Sequence, residues 1–223
     1  RLTIEKGNFS FAKFYSNAVF GWTKFIQTAD FRGAKFTKHA SFSGATFTKY
    51  VYFLRARFTQ NANFSRVRFT QDANFSRATF TQNANFSQAT FTQNANFSQA
   101  TFTQTANFSR ATFTQTANFS EATFSAGSPK FVETSEVKFV EISKVLELTY
   151  RAQFATLPKN QRAYSFTVSE GSFPILLGEA ELGDGVKHHI PVGTVLFDPS
   201  SGETSEPAKP LDDSDSGKED KTK

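Results

Sequence analysis

Twenty-two phenylalanines stand at positions 9, 14, 20, 25 and so on to 113, 119 and 124, and the gaps between them alternate five, six, five, six without exception. A fixed period of this kind denotes a stack of like units, none able to close a core alone: a solenoid. Two residues before each Phe stands a small residue, Ala in most units, with Thr23, Val51 and Val67 among the exceptions. On an extended segment that residue shares the inward sense of the Phe. The next inward residue then comes three or four positions later, which breaks a period of two and requires the chain to turn. Each unit is therefore a strand of about three residues, and each gap a corner.

The unit reads small, polar, Phe, polar, polar, as in Ala84-Asn85-Phe86-Ser87-Gln88, followed by Ala89-Thr90-Phe91-Thr92-Gln93-Asn94. These residues resemble the pentapeptide-repeat family, from about residue 7 to 125 with an echo to about 142. The resemblance implies an all-β, right-handed quadrilateral β-helix. Two departures stand out. The centre is uniformly Phe, and every second unit carries a sixth residue at corners such as Gln60-Asn61, Gln71-Asp72 and Gln104-Thr105, giving an eleven-residue repeat. A two-sided coil of one such repeat would be too flat to enclose stacked rings at protein density, so four sides and a coil of about 22 residues are expected. Position i then stacks on i+22, and some five coils at ~4.8 Å make a rod roughly 25 Å long. Phe58, Phe64, Phe69, Phe75, Phe80, Phe86, Phe91, Phe97, Phe102, Phe108, Phe113 and Phe119 form the expected core ladder, in four columns of offset rings with Ala between them.

Composition narrows the function. The chain has 29 Phe and neither Met nor Cys, so burial rests on aromatic rings and no disulfide or Cys-ligated metal is available. The net charge of +5 is segregated: residues 1–125 carry 14 Lys/Arg and 4 Asp/Glu, and residues 126–223 carry 11 and 16. No stretch is long and apolar enough to span a bilayer. No phosphate-binding glycine loop, nucleophile elbow or carboxylate pair stands out. His39 occupies a corner, and His188 and His189, after Asp184-Gly185, point to opposite sides of a strand, so no joint metal site is expected. The chain reads as a non-enzyme without a cofactor.

On the 22-residue register Lys13, Lys35 and Arg57 share one outward column, with Lys38 beside Lys35 and Arg55 stacked on Arg77 at an adjoining corner. Lys24 and Arg68 lie on the opposite side, separated by Thr46. Like charges one strand apart repel, so the column suits an anionic partner. This favours a rigid scaffold or protein-interaction module with an anionic surface as its ligand, and self-association through a solenoid end is a further expectation from the family. Two alternatives accompany it. Thr-Phe-Thr at 79–81, 90–92, 101–103 and 112–114 is similar to the rungs of ice-binding solenoids. Some pentapeptide-repeat proteins modulate type II topoisomerases by imitating DNA, but Glu5, Asp30, Asp72 and Glu121 are the only acids of residues 1–125 and form no column.

The remaining organisation is expected as follows: a β-helix over 1–125; degenerate rungs and a cap over 126–159, with strands near Phe131 and Phe139, the cap supplied by 142–148 or by a helix-compatible 148–157; a small β segment over 160–198; and a polar, disordered tail over 199–223. That β segment or the basic column would supply the partner contacts.

Overall fold

The computed structural model describes residues 2–139, 144–157, 164–183 and 185–211, with the backbone alone for 136–139 and 144–148. Four parallel sheets run along a rod of about six turns. Face I starts at Thr3–Ile4, face II at Gly7–Asn8, face III at Lys13–Phe14 and face IV at Ala18–Val19. Face I opposes face III, and II opposes IV. The register step of 22 is seen directly: Arg57 pairs with Thr79, Val51 with Ala73, Ala62 with Ala84 and Arg68 with Thr90. Ladder strands are two residues long, one shorter than the sequence suggests. The third residue still takes part, since the Phe86 N–H donates to Asn107 O of the next coil at 2.7 Å.

The two kinds of gap make two kinds of corner. After faces II and IV the chain closes a four-residue turn, with Ala89 N–H donating to Phe86 O at 3.1 Å and Gln88 at φ +59°. A positive φ at the third turn residue is the mark of a type II turn. From Asn63 onward an Asn before the Phe of these two faces braces the turn: Asn85 Oδ1 accepts the Ser87 N–H at 2.9 Å. After faces I and III the sixth residue widens the corner, and the leading Thr ties it to the preceding coil, Thr59 Oγ1 donating to Phe36 O at 2.8 Å. The extra residues thus fall on two opposite edges, so the cross-section stays closed.

Inside, all twelve rings from Phe58 to Phe119 are buried. Rings one coil apart lie parallel, for example Phe58 and Phe80 with centroids 4.9 Å apart and Phe91 and Phe113 at 5.0 Å. The columns of faces II and IV also interlock edge to face across the axis: Phe64 meets Phe53 and Phe75, each at 5.3 Å. Both geometries match the ring quadrupole, and the small Ala positions leave room for them.

Beyond Phe124 the columns continue from segments that have left the period. Phe131 stacks on Phe108 at 5.4 Å, Phe154 on Phe113 at 5.0 Å and Phe166 on Phe119 at 5.9 Å. Between the first two the chain makes an antiparallel hairpin, Val132–Phe139 with Lys144–Arg151. Segment 148–157, helix-compatible in sequence, is therefore extended, because Gln153–Ala155 must pair with Thr112 and Phe113 to seat Phe154 in its column. Leu196 pairs above Phe154 in turn. Tyr164 packs edge to face on Phe154 and donates its hydroxyl to Ala155 O at 2.9 Å; burial pushes its phenol pKa up.

Leu177–Glu181, Lys187–Pro191 and Lys209–Pro210 form a small antiparallel sheet. Part of the expected disordered tail is thus structured, with Ser205 N–H donating to Leu196 O and Ala208 N–H to Thr194 O. Of the expected elements, Arg1 of the β-helix, 140–143 of the rungs and cap, 158–163, Asp184 and 212–223 of the tail lie outside the described residues.

Candidate functional site

The cations expected to stack do so. Lys13 pairs with Lys35 and Lys35 with Arg57 on face III, and all three side chains are exposed. The column continues as Thr79, Thr101 and Thr123. Arg55 and Arg77 stand one coil apart at the corner of faces II and III, both at positive φ, and Arg77 Nε donates to Gln99 Oε1 at 2.6 Å. Lys38 projects from the corner of faces III and IV. The six residues thus occupy one face and its two edges. On face I, Lys24 and Arg68 pair through Thr46 between them.

Three features were not anticipated. Nine corner residues, Phe11, Trp22, Arg55, Arg66, Arg77, Gln88, Gln99, Arg110 and Glu121, hold φ near +57° in a frame of 11. The signal was present: Gly33 and Gly44 occupy the two remaining places in that frame. Second, the first coil exposes apolar side chains, with Leu2 at 60 %, Phe11 at 79 %, Tyr15 at 72 %, Val19 at 73 % and Trp22 at 53 % of full accessibility. Phe11 is a Phe outside the period, and Val19 takes the place that Asn63 and Asn85 hold in later coils. Third, the acids of residues 2–129 lie on one side. Asp30 is on face II, Glu5 and Asp72 on the corner of I and II, and Glu121 on the corner of II and III. Asp30 is paired with Arg32, Arg32 Nε donating to Oδ2 at 2.9 Å, and that bond holds its carboxyl below the usual range.

No group of three or more His, Asp or Glu among the described residues is placed to hold a metal. His189 is near Glu179, at 3.9 Å, and His188 lies on the other side of the strand. No helix of the described residues is long and apolar enough to cross a membrane.

A closed four-sided stack of parallel rungs with inward rings and outward polar residues is a β-solenoid of the repeat-protein class. The chain belongs to the pentapeptide-repeat family: the family described as pentapeptide repeats (9 copies) matches it over residues 3–46, 42–90 and 86–129. No curated relative and no solved structure matches it at a significant level.

Proposed function

We propose that the chain is a non-enzymatic scaffold that engages an anionic partner through Lys13, Lys35 and Arg57, with Lys38, Arg55 and Arg77 at the edges of the same face. The in-register pairing of three exposed cations carries this reading. Cations one rung apart, about 4.8 Å, repel unless an anion lies across them. A partner with regularly spaced anionic groups would relieve that repulsion and be held by a face that does not deform.

Replacing Lys13, Lys35 and Arg57 together by Gln tests it. Retention of the chain on a heparin column should fall to much lower salt while the circular-dichroism melt stays unchanged; unaltered retention removes the column from the binding face. Self-association through a solenoid end belongs to the same reading, with sedimentation velocity as its check. The ice-binding alternative draws on Thr79, Thr101 and Thr123 in register on face III, and thermal hysteresis at the buffer baseline would end it.

A further inference from the structure

The side of the rod centred on face IV combines three properties. It carries the exposed apolar residues Tyr15, Val19 and Trp22, in order across the face from one corner to the other. Cations stand along both shoulders, Lys13 and Lys35 on face III and Lys24 and Arg68 on face I, with Lys38 and Arg66 at the corners. The acids of residues 2–129 are all on or beside face II, which looks the opposite way.

We propose that this side lies on an anionic phospholipid surface, with Tyr15, Val19 and Trp22 at the level of the headgroups. The inference rests on the anionic-partner reading above and names the partner. Aromatic side chains with a polar edge settle at the membrane interface, and an apolar strip flanked by Lys and Arg is the signature of a protein that lies on a membrane without crossing it. Long cationic side chains on the shoulders reach down along the rod towards lipid phosphates. Each basic residue near such a surface adds to the attraction, which falls off within a Debye length. Carboxylates on this side would oppose the approach; residues 2–129 place none there, and Glu133, in the coil that follows at the far end of the rod, accepts the Ser109 hydroxyl at 3.0 Å.

A place for a headgroup is built into one shoulder. Thr46 stands between Lys24 and Arg68 on face I, and Gly44 lies under the Trp22 ring, so small residues floor a groove of about 360 Å³ bordered by Trp22, Lys24, Arg66 and Arg68. A phosphate in the groove would lie between three cations, beside the indole. Nucleic acid fits less well, because base stacking needs planar rings along a basic track and Val19 stands between the two aromatic residues.

Trp22 is the chain's single tryptophan, so its fluorescence reads the proposed contact directly. Phosphatidylcholine vesicles with and without about 30 mol % phosphatidylglycerol are mixed with the purified chain, and sedimentation and emission are recorded. Binding to the anionic vesicles alone, with a blue shift of Trp22 and quenching by brominated lipid, is the expected result. Tyr15→Ser with Val19→Asn should lower partitioning about tenfold and leave the melt unchanged, since both side chains are exposed. Sedimentation without a blue shift overturns the orientation and leaves a purely electrostatic contact. Retention on heparin without vesicle binding overturns the lipid surface and leaves the anionic-partner reading standing; binding to neither overturns both.

Discussion

The Trp22 ring lies against Gly44 of the next coil so closely that a Cβ on the glycine would stand 2.7 Å from the indole. Gly44 also has φ +67°, which a side chain adopts at a cost. Gly44→Ala is therefore expected to lower stability by about 1–2 kcal/mol and to push the indole outward. Chemical unfolding gives the first, and a red shift of the native emission spectrum gives the second. An unmoved spectrum would show that the ring does not rest there.

Phe86 stacks on Phe64 and Phe108 at 4.9 and 5.0 Å and meets Phe75 and Phe97 edge to face at 5.3 Å. Phe91, in the face I column, stacks on Phe69 and Phe113 but meets Phe97 only at 5.8 Å. Phe86→Ala should cost about 3–5 kcal/mol and Phe91→Ala measurably less, because the central cavity has ring walls on more sides. Equal losses in urea unfolding would contradict the interlocked core.

The corner at Gln88 supports a pair of opposite substitutions. Its φ of +59° disfavours every residue with a Cβ and β-branched ones most. Gln88→Gly should stabilise by about 0.5 kcal/mol even though it gives up the 3.3 Å bond from Arg66, which is exposed. Gln88→Val should destabilise by about 1–2 kcal/mol. Melting temperatures that move in the same direction would rule out the turn as described.

Asn85 holds its corner through one acceptor, the Oδ1 that takes the Ser87 N–H. Asn85→Ala should cost about 1 kcal/mol, while Asn85→Asp, which keeps the acceptor, should cost little. Comparing the two melts separates this bond from a general loss of polarity.

Acid sensitivity has an assigned contributor. The Asp30 carboxyl, hydrogen-bonded by Arg32, is held below its ordinary 3.8, so its contribution is present above pH 3.8 and is lost as pH falls through the lowered value. Asp30→Asn should flatten the stability profile as pH falls below about 4 and lower stability at neutral pH by the same modest amount, because solvent around the half-exposed Arg32 screens the pair. A profile identical to that of the parent chain would assign the acid sensitivity elsewhere.

Much of this protein could be read from spacing alone. The alternation of five and six placed the periodic Phe inward, gave the coil of 22 and brought Lys13, Lys35 and Arg57 into one column. A periodic chain has one way to keep large residues inside, and stacking converts sequence distance into spatial distance. Polar corner chemistry was legible for the same reason, since Asn85 and Thr59 act within the unit or one coil away.

What the sequence could not supply begins where the period ends. Phe131, Phe154 and Phe166 complete a coil from separated segments, and no spacing announces that they belong together; only the vacant places above Phe108, Phe113 and Phe119 select them. The confinement of the acids of residues 2–129 to the neighbourhood of face II and of Tyr15, Val19 and Trp22 to the side of face IV was likewise decided by closure of the four-sided coil. Sequence order fixes which residues share a column, but which columns look the same way depends on the corners that the backbone turns in three dimensions.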